Sequence, residues 1–148
     1  MVERWLISLI AGLFGLIIGS FLNVCSIRWP RDQSVAHPRS HCMGCGNPVR
    51  WYDNVPVLSW LVLRGRCRDC GMSISVQYPL AEFTIGMVWA GVFWAHGLSP
   101  EAARGAIFLT LLFGIALSDA RFYIIPDQFS LGGTGLGLGM AFLPGGVT

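Results

Sequence analysis

The residues best placed to do chemistry are four cysteines. Cys42-x-x-Cys45 and Cys67-x-x-Cys70 set two thiol pairs 21 residues apart, each followed by a glycine, Gly46 and Gly71. Thiolates two residues apart can turn back onto one ion. Two such turns supply the four sulfurs of a tetrahedral zinc site, with bonds of about 2.3 Å. The glycines permit the left-handed backbone that such tight turns need. A site closed by Cys42, Cys45, Cys67 and Cys70 is structural, so no catalysis is predicted at the metal. A redox pair or an iron–sulfur site is the alternative that the same spacing allows. His37 and His41 flank the first pair and read as surface loop histidines, because four cysteines already fill the set. The fifth cysteine, Cys25, reads as a small buried hydrophobe.

The second chemical candidate is acidic. Asp119 closes an apolar run, where a carboxylate is expensive unless it is solvated, paired or protonated. Low dielectric favours the protonated acid, the condition under which two carboxyls can share a proton and activate water. Asp127 follows eight residues later, but Pro126 interrupts the helix between them, so the two are not a ready-made pair on one face. On spacing alone, Asp119 pairing with Arg121 and Asp127 capping the next helix is the plainer alternative. Glu82 is the other acid inside an apolar run, with a plain reading as a snorkelling or helix N-terminal acid.

These groups must be positioned by membrane helices. The 148 residues are 53% hydrophobic and only 12% charged, against about 25% charged in a soluble domain, with mean hydropathy +0.58 and 19 glycines. That composition argues against a soluble enzyme, a secreted disulfide mini-protein or a charged tail, and for close-packed Gly-rich helices in a bilayer. Residues 5–27 carry no charge and are long enough to cross a hydrocarbon core. That run is too long for the apolar region of a typical signal peptide, and no A-x-A site follows it. Residues 78–98, 106–118 (extended back through Ala102) and 128–148 are further candidate spans, the last with a break expected near Pro144. The fold expected is an all-α polytopic membrane protein of about four transmembrane helices with a small zinc-ribbon-like loop. Its parts are a first helix at 1–27, a four-cysteine loop at 28–77, and the start of a second membrane unit at 78–148.

All ten basic residues are arginine, and seven of them (Arg28, Arg31, Arg39, Arg50, Arg64, Arg66, Arg68) fall in 28–77 beside only Asp32, Asp53 and Asp69. The positive-inside rule puts that loop in the cytoplasm and the N-terminus outside. A turn near Ser99-Pro100 then returns the chain, leaving residues 119–127 at the cytoplasmic membrane face. Arginines near anionic headgroups are explained by lipid contact. With little aromatic interleaving, nucleic acid is not an expected partner.

Taken together, these pieces resemble the type IV prepilin peptidases, the bifunctional leader peptidase/N-methyltransferases of pilus and type II secretion systems. Gly19-Ser20-Phe21-Leu22-Asn23-Val24 with Arg28 and Pro30 looks like the family's opening signature. Then follow Ser40-x-Cys42-x-x-Cys45, Asp53-Asn54-Val55-Pro56-Val57-Leu58-Ser59-Trp60-Leu61, Leu63-Arg64-Gly65-Arg66-Cys67-Arg68-x-Cys70 and Tyr78-Pro79-Leu80-x-Glu82, in family order. Asp119 with Ile125-Pro126-Asp127 matches the first aspartate motif. Val76-Gln77 departs from the family's usual Arg before Tyr78.

The resemblance implies a multi-pass enzyme of the bacterial inner membrane. Such an enzyme cleaves prepilin leaders at the cytoplasmic face and methylates the new N-terminal residue with S-adenosylmethionine. It implies Asp119 as one of two catalytic aspartates, Asp127 as a supporting residue, and a structural zinc in the loop. Acidic residues would have to meet the basic leader, and Asp53 and Glu82 are the available guesses. The family's second aspartate lies in a Gly-x-Gly-Asp motif, and these 148 residues contain no Gly-Asp pair. The expectation is an N-terminal half (a truncated piece, a fragment or a split gene product) that is peptidase-inactive alone. A dimer, or a C-terminal half in trans, could complete it. The competing reading is a non-catalytic zinc-loop membrane scaffold or assembly protein.

Overall fold

A computed structural model describes residues 2–142. Among them the regular structure is helical, with no strand beyond two isolated bridges. Helix α1 runs Val2–Arg28, α2 is the five-residue Leu58–Val62, α3 is Gln77–His96, α4 is Pro100–Phe122 and α5 is Asp127–Ala141. By length and composition, α1 and α4 are long and apolar enough to cross a membrane. The 20-residue α3 packs along α1 over most of its length. Helix α5 covers 15 residues, about 22 Å at the α-helical rise, less than a hydrocarbon core. The expectation of about four spans is therefore met in two helices by that measure. The break expected near Pro144 lies outside the described residues.

Paired contacts show that α1 and α3 are antiparallel. Moving up α1 and down α3, the Trp5 and Trp94 rings meet at a tilt with centroids 4.5 Å apart, and the Ser8 hydroxyl donates to the Ala90 carbonyl at 2.9 Å. Further along, Gly19 faces Glu82, and the Asn23 amide donates to the Tyr78 carbonyl at 3.1 Å. Glycine makes this approach close: a Cβ on Gly19 would sit 2.8 Å from the Glu82 Cα, and one on Gly15 2.8 Å from the Trp89 Cβ. Apolar side chains give no hydrophobic drive between helices in lipid, so backbone proximity of this kind is what holds such helices together.

The α3–α4 turn follows its sequence. Gly97 ends α3 with φ +65°, and Ser99 caps α4 by accepting from the Ala102 amide at 3.2 Å, with Pro100 opening the helix. Ala102 and Ala106 then bury against Ala11 and Phe93. At the far end Tyr123 takes a left-handed conformation and returns its amide to the Asp119 carbonyl at 2.8 Å. Phe129 of α5 folds back under Gly114, meeting Leu22 and the Trp29 ring at 4.6 Å. Cys25 is buried in this cluster, as its apolar reading required.

Candidate metal centre and membrane-edge carboxylate

The two cysteine turns have the same backbone, displaced by 25 residues. In the first, the Cys42 amide donates to the Asn47 carbonyl (2.9 Å), Gly46 to Cys42 (2.9 Å) and Val49 to Ser40 (2.8 Å). In the second, Cys67 donates to Met72 (2.8 Å), Gly71 to Cys67 (3.0 Å) and Ile74 to Gly65 (2.7 Å). Gly46 and Gly71 sit at φ +73° and +71°, where a side chain would be strained although space is open. Each turn thus points two sulfurs inward, and the four sulfurs of Cys42, Cys45, Cys67 and Cys70 lie within 4.8 Å of one another. A tetrahedral ion with 2.3 Å bonds needs sulfur separations of about 3.8 Å, and the Cys42–Cys70 pair is at 3.6 Å.

Electrostatics point the same way. Amide hydrogen bonds from Cys45 and Gly44 pull the Cys42 thiol down to about 6. Cys70 is pushed up to about 12: the Met72 amide favours its thiolate, but desolvation and the neighbouring sulfurs outweigh that help. Four thiolates this close repel one another, and a soft divalent cation is the group that would hold all four ionised. The donor set therefore fits a metal. His41 stands outside it, its Nδ1 3.1 Å from the Arg39 carbonyl, and His37 is exposed.

The chain between the turns is braced by side chains. Arg68 clamps Asp53 with two bonds of 2.8 and 2.6 Å, which holds the Asp53 carboxyl below its usual range. Asp69 takes weaker contacts from Asn47 and Arg50. The Trp60 indole donates to the Ile74 carbonyl at 3.0 Å. Glu82 is buried and neither snorkels nor begins its helix. Its Oε2 accepts from the Val57 amide at 2.7 Å, which fastens the loop to α3. Asp53 and Glu82 are both engaged within the fold, so neither is an open acceptor for a basic peptide.

Asp119 and Asp127 flank a turn at the loop's end of the bundle. Both are exposed, Asp119 in the last turn of α4 and Asp127 as the first residue of α5. Pro126 holds the cap position, and Asp127 makes no side-chain cap bond. The expected Asp119–Arg121 pair does not form. Arg121 turns toward α1, donating to Ser26 Oγ at 2.6 Å and Asn23 Oδ1 at 3.1 Å, with its guanidinium 5.7 Å from the centre of the Tyr78 ring. One arginine thus joins α1, α3 and α4 two residues from Asp119. Sequence reasoning missed this lock. Its signal was Asn23 and Ser26, two polar residues three apart on one face of the charge-free run 5–27.

The groove between α1 and α3, about 300 Å³, is lined by Trp5, Leu9, Leu13, Phe83 and Met87, with Ser8 as the polar side chain. It does not fit a charged nucleotide-like cofactor such as S-adenosylmethionine.

A family model for the bacterial peptidase A24 N-terminal domain matches residues 13–96. The prepilin leader peptidase/N-methyltransferase of Myxococcus xanthus is 42% identical over 130 residues, covering 88% of this chain and 39% of the relative. The protein of that name from Bacillus subtilis is 35% identical, covering 78% and 47%. The type 4 prepilin-like proteins leader peptide-processing enzyme of Escherichia coli O78:H11 is 38% identical, covering 83% and 52%. The chain spans about two-fifths to one-half of the length of these three relatives. No solved structure matches.

Proposed function

The chain belongs to the bacterial A24 peptidase family, and we propose that it carries the N-terminal portion of an inner-membrane prepilin leader peptidase and N-methyltransferase. Residues 1–27 form the first span, 28–77 a cytoplasmic zinc loop, and 78–148 open the peptidase unit, with α1, α3 and α4 as spans and a fourth over residues 128–148, of which α5 is the described part. The ion is zinc held by Cys42, Cys45, Cys67 and Cys70, and its role is to fold the loop. S-adenosylmethionine supplies the methyl group for the new N-terminus, at a site not formed by the groove described.

In the peptidase step a carboxylate takes a proton from water as it attacks the scissile carbonyl, and a carboxylic acid protonates the departing amide nitrogen. Asp119 supplies one of these groups and Asp127 helps to place it. A single carboxyl cannot be base and acid at once, so a polypeptide of these 148 residues alone is expected not to cleave. Its partner carboxyl comes from another part of the protein, from a second copy, or in trans. The observation that carries this reading is the Arg121 lock, which brings the Asp119 turn to the same end of the helices as the four-cysteine loop.

The test is to incubate membranes containing the protein expressed from its intact gene with a type IV prepilin. Leader loss on a gel, and a 14 Da gain on the mature N-terminus by mass spectrometry with S-adenosylmethionine, are expected. Neither change, with the protein folded and zinc-loaded, would favour the scaffold reading.

A further inference from the structure

The segment around α2 has the properties of backbone immersed in lipid. Residues 55–63, Val-Pro-Val-Leu-Ser-Trp-Leu-Val-Leu, carry no charge. Their side chains face outward where a water-borne loop would hide them: Leu58 is 61% exposed, Leu61 58% and Val62 75%. Their polar groups face inward. The Val55 amide donates to Ser59 Oγ, Val57 to Glu82, Leu58 to the Pro56 carbonyl and Ser59 to the Val55 carbonyl. Pro56 has no amide proton to satisfy. The Ser59 hydroxyl donates to the Tyr52 carbonyl, and the Trp60 indole to Ile74. Backbone polar groups at membrane depth must be satisfied within the protein, and the amides of Val55, Val57, Leu58 and Ser59 are.

Depth follows from the helices. Gly19 faces the Glu82 Cα and lies nine residues before Arg28, about 13 Å inward along α1 at 1.5 Å per residue. A glutamate side chain pointing back toward the Arg28 end reaches about 5 Å, and its bond to Val57 adds 2.7 Å. The Val57 turn therefore remains inward of the Arg28 level, and Phe21 of α1 and Phe83 of α3, further in along their helices, are themselves exposed. Val57 is held at φ +60°, a conformation that is a true outlier for a β-branched residue. An over-determined contact, here the buried Glu82 carboxyl, is what sustains such strain.

We propose that residues 55–63 dip into the bilayer leaflet on the Arg28 side, with Leu58, Leu61 and Val62 against acyl chains and the exposed Arg64 and Arg66 at the anionic headgroups. The cysteine loop is thereby seated on the membrane rather than suspended in water. The inference requires α1 and α3 to span the bilayer and is independent of the peptidase reading.

The experiment places a p-acetylphenylalanine spin label at Val62, and separately at Leu61, in the full protein in phosphatidylglycerol-containing nanodiscs. Ile17 on α1 is the lipid reference and Met43 on the first cysteine turn the aqueous one. Unchanged metal content confirms that each labelled protein is folded. Positions 61 and 62 are expected to match position 17, with oxygen access exceeding nickel-chelate access severalfold, and position 43 to show the reverse. Chelate access at 61 and 62 equal to that at 43 overturns the proposal. Low access to both reagents also overturns it, by showing that protein covers this face.

Discussion

Arg121 is held by three helices, and its partners are the neutral oxygens of Asn23 and Ser26 and the Tyr78 ring. Asn23 is the hub, since it also donates to the Tyr78 carbonyl. Asn23→Ala removes two part-buried hydrogen bonds, one to the Tyr78 carbonyl on α3 and one from Arg121 on α4, a cost of about 1–3 kcal/mol. Unfolding in mixed detergent should show it as a lower midpoint. A midpoint equal to that of the parent would mean the lock is slack. On the loop, the Arg68 clamp holds the Asp53 carboxyl below its usual range. The folded value is the lower one, so this pair contributes stability above the unfolded value of about 3.9 and loses it as pH falls through the folded value. Carboxyl NMR should find the Asp53 midpoint below that of an ordinary aspartate, moving up toward it in Arg68→Ala.

At the level of elements, the cysteine turns form a duplicated unit in which equivalent substitutions should have equivalent effects. Metal analysis is expected to give one zinc per chain, with loss of zinc in Cys42→Ser and Cys67→Ser alike. Gly46→Ala and Gly71→Ala should each cost about 1 kcal/mol, since the added methyl meets open space and only the left-handed backbone resists it. The sequence made this unit legible because ligand spacing and turn glycines are local signals. It also located the α3–α4 turn, at Ser99-Pro100, and the Asp119–Asp127 turn, through Pro126, although α4 begins at Pro100, two residues before the Ala102 limit of the apolar run. It did not show α2, whose five residues are too short for periodicity, or the partners of Glu82 and Arg121. Those contacts join residues 25 to 98 positions apart, and only the packed helices define them.

Across the described residues, one end of the helical unit carries both a four-cysteine cluster that could hold a metal ion and an exposed carboxylate. The 148 residues span about two-fifths to one-half of the three relatives described, and the proposed peptidase chemistry asks for a second carboxyl beyond Asp119. In the proposed function zinc folding and proton transfer are separable jobs, because four thiolates would close the metal and leave it no open position. The most direct measurement is therefore Asp119→Asn in the protein expressed from its intact gene, assayed for leader cleavage and, separately, for methylation of pre-cleaved pilin. Abolished cleavage with methylation and zinc content preserved is the predicted result. Cleavage at the parental rate would contradict the assignment of Asp119 and return it to the membrane interface as an ordinary solvated acid.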